Sequence, residues 1–162
     1  MSATLSIEDV RAAVAAVPDP ELPVVTIEQL GILRDVRVDA TGRVTVDITP
    51  TYSGCPAMDA IRADVEAALA GAGVDGAEVR LVLAPAWTTD WITAEGRAAL
   101  EEYGIAPPGP ARGTVTALAL SVRCPHCGSP DTRELSRFGS TACKALWVCR
   151  ACQEPFDHVK PL

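Results

Sequence analysis

The run RVTVDITPTYSGCPAMDAIRADVEAALAGAG, residues 43–73, changes its hydrophobic period midway, and that change decides the fold. Val44, Val46 and Ile48 alternate with Arg43, Thr45, Asp47 and Thr49, the two-residue repeat of a strand with one wet face. From Pro56 the repeat lengthens. Met58, Ile61, Val65 and Leu69 then fall on one stripe of a helix over about residues 56–70, which Gly71 and Gly73 end. On the N-terminal side, LRDVRVD (33–39) faces the strand across Ala-Thr-Gly and predicts a hairpin. On the C-terminal side a third strand is expected at Glu78 to Leu83. Strand, helix, strand in that order needs a crossover that covers one sheet face. The fold class is therefore α/β or α+β: a small mixed sheet of three or more strands covered by two or three helices.

Further out, SIEDVRAAVAAV (6–17) reads as a helix, with Ser6 as N-cap, Glu8 and Asp9 in the first turn, and Ile7, Val10, Val14 and Val17 at helical spacing. Pro18 and Pro20 stop it. PAWTTDWITAEGRAALEEYGIAPPGP (85–110) offers a tryptophan-rich turn, a short helix from about Thr93 to Tyr103, a Gly104 stop and a proline-rich tail. Trp87 and Trp91 either lock that turn onto the sheet or form an apolar contact surface; Gly31 and Gly54 read as turn residues. The expected organisation is an α/β domain over residues 1–106, a Pro/Gly-rich linker over 107–113 and a cysteine-rich domain over 114–162.

Of 162 residues, 14 are Lys or Arg and 21 Asp or Glu, a net charge of −7. The charge is uneven: residues 1–112 carry eight basic and 17 acidic groups (−9), and the remainder six and four (+2). An acidic front half is a poor partner for nucleic acid, which rewards clustered cations. No apolar run approaches the roughly 18 residues needed to cross a bilayer and no leader pattern opens the chain, so a soluble cytoplasmic protein without membrane attachment is expected. In a reducing compartment, six cysteines point to metal or thiol chemistry rather than to disulfides.

Cys124-Pro-His-Cys127 and Cys149-Arg-Ala-Cys152 are two C-x-x-C pairs separated by 21 residues, close to the spacing of a four-thiolate zinc site. About 40 residues cannot bury enough apolar surface to fold alone, and a bound cation makes up the difference. A structural zinc ribbon is the reading, with rubredoxin-like iron in the same cage as the alternative. His126 is taken as an exposed turn residue, and Phe138, Trp147 and Phe156 as packing a small core or a protein partner rather than bases. Nucleic acid is therefore not expected as a ligand of the ribbon. Cys143 falls on the strand leading to Cys149, as a buried apolar residue, a thiol activated by Lys144, or an auxiliary ligand.

Cys55 stands apart. If Pro56 opens the helix, Cys55 is its N-cap, where free N–H groups and the helix dipole favour a thiolate, and the choice between a buried structural cysteine and a functional thiol stays open. Asp19-Pro20-Glu21 places two carboxylates on a stiff loop, either as hydrated acids at a helix stop or as hard ligands brought beside Cys55 by the fold.

DPELPVVTIEQLGILRDVRVD followed by TPTYSGCPAMDAI resembles the cytosolic iron–sulfur-assembly domain, whose members carry an Asp-Pro-Glu loop and a Thr-x-x-x-Cys-Pro loop. The cysteine-rich tail and its order resemble the PaaD (PaaJ) family of phenylacetate degradation, over about residues 5–157. That resemblance implies an accessory protein of the multicomponent phenylacetyl-CoA epoxidase, a complex of a di-iron oxygenase and an iron–sulfur flavin reductase. It implies Asp19, Glu21, Thr51 and Cys55 as a site for transient iron or an iron–sulfur cluster, and Cys124, Cys127, Cys149 and Cys152 as the ribbon's ligands; with no di-iron Glu-x-x-His set, no cofactor fingerprint and only His126 and His158 as histidines, no catalytic residue is expected. The oxygenase and reductase components are the expected partners, and a homodimer is compatible with the sequence. The ending HVKPL has no assigned role.

Overall fold

The computed structural model describes residues 6–109 and 121–162, in two compact units, 1–87 and 88–162. In the first unit, helix α1 (Ile7–Ala15) opens as expected. The Ser6 hydroxyl accepts from the Asp9 N–H at 3.1 Å and the Asp9 carboxylate accepts from the Ser6 N–H at 3.2 Å, a reciprocal cap. Val10, Val14 and Val17 are buried, whereas Ile7 in the first turn is exposed.

Strands β1 (Leu33–Val38) and β2 (Val44–Ile48) form the predicted antiparallel hairpin, and helix α2 (Met58–Gly71) crosses over to β3 (Glu78–Leu81), which lies parallel to β2. The sheet order is β1-β2-β3, and α1 and α2 pack on it and on each other. Met58, Ile61, Val65 and Leu69 are buried, as their spacing requires. The wet face of β2 is narrower than alternation suggests: Arg43 is exposed, but Asp47 and Thr49 are buried. β2 is the central strand, and over Asp47 lie Arg37 at 2.8 Å and Arg80 at 3.6 Å, one from each neighbour. Trp87 is buried, with Nε1 donating to the Leu30 carbonyl at 2.9 Å, so it locks the turn onto this unit.

The second unit starts earlier than the proline-rich stretch at 107–113 suggests. A 3₁₀ turn (Thr89–Trp91) and helix α3 (Ala94–Glu102) lead into β4 (Ile105–Ala106), which pairs in parallel with β7 (Pro155–Val159). Strands β5 (Thr132–Ser136) and β6 (Lys144–Cys149) complete a sheet of order β4-β7-β6-β5. Residues 88–106, grouped with the first domain on sequence, therefore pack with the cysteine-rich part, and residues 110–113 of the expected linker lie outside the described residues. The tail HVKPL finds its role here. The Leu162 carbonyl accepts from the Thr89 N–H at 3.2 Å and the Thr88 hydroxyl at 2.9 Å, while Arg97 donates to the carbonyls of Thr89 and Pro108. Among the described residues no helix is long and apolar enough to cross a membrane.

Candidate metal and thiol sites

Two matching turns build the cysteine cage. In the first, the Cys124 N–H donates to the Ser129 carbonyl at 3.0 Å and the Gly128 N–H returns to the Cys124 carbonyl at 2.8 Å. In the second, the Cys149 N–H donates to Glu154 and the Gln153 N–H returns to Cys149, both at 3.0 Å. The residue after each second cysteine turns left-handed, Gly128 at φ 73° and Gln153 at φ 66°. The two turns thus have the same hydrogen-bond pattern, and they bring the four sulfurs together.

All four Sγ atoms lie within 4.8 Å of one another, with Cys124 to Cys152 at 3.8 Å and Cys127 to Cys149 at 3.6 Å. A disulfide needs about 2.0 Å, which excludes one. A tetrahedron with metal–sulfur bonds of about 2.3 Å has edges of about 3.8 Å, so the donor set fits a sulfur-loving cation of zinc's size. Cys124 and Cys149 are buried under Ala106, Phe156, Val122 and Trp147, while Cys127 is exposed.

The Cys152 and Ala151 N–H groups, aided by neighbouring thiols, draw the Cys149 thiol down to about 7 against burial. Cys152 goes the other way, up to about 12: the Glu154 N–H favours its thiolate, but burial and the three neighbouring thiols outweigh it. The Cys149 thiolate is easily formed while the Cys127 and Cys152 thiols are held protonated, so a full set of thiolates needs a cation among them. With four protein ligands, zinc held there would supply folding energy and have no open coordination position.

His126 is exposed, as read from sequence, with its ring against Gly104, where an added Cβ would meet Cε1 at 3.0 Å. Phe156 packs the small core and Trp147 lies partly buried against it, but Phe138 is 74% exposed, so the three aromatics do not share one role. Cys143 is half-buried in the turn before β6, its Sγ 3.1 Å from the Thr141 hydroxyl. Lys144, the cation that sequence offered to Cys143, is itself buried and paired with Asp157 at 3.3 Å.

Cys55 is half-buried, three residues ahead of α2. It is not the cap: Ala57 holds that position, without a side-chain hydrogen bond. The Cys55 N–H reaches the Tyr52 carbonyl at 3.3 Å and its carbonyl accepts from the Met58 N–H at 3.4 Å, so Pro56 and Ala57 form a tight turn before the helix proper begins. Proline at position 56 thus sits in the turn rather than at the first helical residue. Thr51 is half-buried in the same loop.

Asp19 is 5% exposed, and its Oδ1 accepts from the N–H groups of Glu21 at 2.9 Å and Leu22 at 2.7 Å. Both carboxylates therefore do not share the hydrated state that sequence allowed: Asp19 shapes the loop, and Glu21 is half-exposed. Among the described residues, only the four ribbon cysteines form a group of three or more Cys, His, Asp or Glu within ligand distance, and Asp19, Glu21 and Cys55 do not. Sequence reading missed Gln153, whose left-handed turn is legible only by matching its position to Gly128. It also missed the Thr88–Thr89 anchor for Leu162, for which 73 residues of separation leave no local signal.

Fold and cage together define an iron–sulfur-assembly-type α/β unit joined to a four-cysteine β-ribbon. Residues 7–83 match the family model described as an iron–sulfur cluster assembly protein, and residues 108–160 match the PaaD zinc beta ribbon domain. The chain is 46% identical over 154 residues to a subunit protein of Escherichia coli K12 named "Putative 1,2-phenylacetyl-CoA epoxidase", covering 95% of this chain and 92% of that one. The chain belongs to the PaaD family. Its first part is also similar to an Fe-S protein maturation auxiliary factor of Bacillus subtilis, at 37% identity over 57% of this chain and 91% of that one. Among solved structures, a domain of unknown function (DUF59) from Bacillus anthracis aligns with a TM-score of 0.54 at 33% identity, over 57% of this chain and 89% of that one. These relations support an accessory role in iron–sulfur assembly.

Proposed function

We propose that this protein is a non-catalytic maturation factor of the multicomponent phenylacetyl-CoA epoxidase, acting in the cytoplasm. The observation that carries the reading is a half-exposed thiol, Cys55, in a loop separate in sequence from the closed four-cysteine cage. Cys55 receives and hands on iron or an iron–sulfur unit as cargo, with the half-exposed Glu21 as the available hard ligand, Thr51 lining the loop and Asp19 holding its shape. Cys124, Cys127, Cys149 and Cys152 hold a structural zinc, and the second unit docks the oxygenase or reductase component that receives the cargo. The test is complementation. In cells that make the epoxidase but lack this chain, wild-type protein restores full iron and cluster content of the purified components, and Cys55→Ser does not. Full loading with Cys55→Ser overturns the delivery role.

A second reading has support in the relative described as a subunit: the chain is a structural part of the oxygenase complex. It requires fixed-stoichiometry co-purification and loss of turnover when the chain is stripped from an already loaded complex. The maturation reading requires that a loaded complex keep working without it.

A further inference from the structure

We infer that Phe138 is a rigid aromatic anchor by which the second unit docks a protein surface presenting an apolar socket rimmed by carboxylates. The inference rests on the docking role proposed above and assigns it a face. Phe138 is 74% exposed and Leu135, close by in sequence, 44%. A single exposed apolar side chain on a surface needs no explanation. Here, however, the base beneath the ring is built.

The Phe138 N–H donates to the Ser136 hydroxyl at 3.2 Å, and Lys160 Nζ stands 5.2 Å from the ring centroid while donating to the Arg137 carbonyl at 3.2 Å. The next residue, Gly139, lies so close to the protein that a Cβ would meet Asp157 Oδ1 at 3.0 Å and the Lys144 carbonyl carbon at 3.3 Å. Its N–H donates to the Lys144 carbonyl at 2.8 Å, and Ser140 bonds Asp157 at 3.2 Å. The turn is thereby fixed to the Lys144–Asp157 ion pair, whose lysine side chain is 6% exposed. An aromatic residue held in place before contact loses little freedom on binding, as interface anchors require.

β5 is a sheet edge, but its register slips between Glu134 and Ser136 and leaves Leu135 as the extra residue of a bulge. A bulge resists addition of another strand and re-aims a side chain, so the face works through side chains. Arg137 and Lys160 flank Phe138 without a carboxylate partner among the described residues, and the nearby Asp157 is already paired with Lys144. On a chain of net charge −7 this is a local basic contrast, and it selects an acidic rim. Two copies of so acidic a chain repel, which disfavours a second copy as occupant. One aromatic ring without a long cationic groove is a poor single-strand platform.

The experiment titrates the zinc-loaded full chain against the purified oxygenase and reductase components of the phenylacetyl-CoA epoxidase. Phe138→Ser is expected to weaken binding on the order of 30-fold and Arg137→Glu about tenfold, with one zinc per chain and the circular dichroism spectrum unchanged. Wild-type affinity in Phe138→Ser overturns the anchor and leaves the maturation role standing. Absence of binding by the wild-type chain to either component overturns both. Self-association in sedimentation, or salt-sensitive oligonucleotide binding, that disappears in Phe138→Ser instead overturns the choice of an acidic protein partner.

Discussion

Replacing Asp19 separates a carboxylate that shapes the loop from one that ligates metal. Its Oδ1 is the shared acceptor of two backbone N–H groups, and both Asp19 and Leu22 are 5% exposed. Asp19→Ala removes both bonds. The Leu22 donor has no access to water and costs about 1–3 kcal/mol unsatisfied, while the half-exposed Glu21 donor recovers part of its loss, giving about 2–4 kcal/mol in all. Asp19→Asn keeps an acceptor of the same shape for both N–H groups and gives up their charge assistance, about 1 kcal/mol. Urea unfolding followed by Trp87 fluorescence, with Trp91 and Trp147 replaced by Phe, reads the first unit alone. The bonding account predicts that Asp19→Asn is mild and still restores iron content of the epoxidase in cells. Equal destabilisation by Asn and Ala, or a stable Asp19→Asn that fails to load the client, would refute it.

Burial holds His158 down at about 4, so its neutral form is favoured in the folded state. The stability this preserves is complete above pH 6.5 and is lost as pH falls toward 4, on the order of 3 kcal/mol; His158→Gln should flatten that slope in denaturation at stepped pH, and an unchanged slope counts against it. Thr49 Oγ1 is buried with no hydrogen-bond partner among the described residues, so Thr49→Val should stabilise by about 1 kcal/mol. A lower melting temperature in that variant would mean the hydroxyl is used. Gly128 at φ 73° has open space where a Cβ would go, so Gly128→Ala carries only backbone strain, about 1–2 kcal/mol, read as faster zinc loss to a chelator; an unchanged rate contradicts the matched-turn geometry. Stripping the metal should unfold the second unit and leave amide protection at Val46, Ile48 and Val65 intact, since those residues belong to a separate core. Collapse of that protection would deny the units their independence.

Periodicity carried the first unit because its elements bury one face each. The stripe on α2 and the apolar half of the β2 alternation are where they should be, and the C-x-x-C spacing marked the cage because ligand geometry is local to each turn. What sequence concealed was set by distant partners. Asp47 is buried because Arg37 and Arg80, on flanking strands, reach over it. Residues 88–106 join the second unit through β4 pairing with β7 and through Leu162, contacts with no signature in the segment itself. The start of α2 was misplaced for a chemical reason: proline suits both a first helical residue and a tight turn, and only the hydrogen bond from Met58 to Cys55 decides between them.

The two kinds of sulfur differ in a way that bears on exchange. In the cage, four sulfurs lie within 4.8 Å of one another, so a cation held there would be released only by breaking bonds to several protein ligands. Cys55 lacks any such neighbours in a three-ligand group among the described residues. A single half-exposed sulfur binds a soft cation weakly unless a second protein completes its coordination. On the proposed delivery role, that dependence suits a carrier: retention would stay low until a donor or client supplied the remaining ligands, and release would follow when the client's own ligands outnumbered the one Cys55 offers.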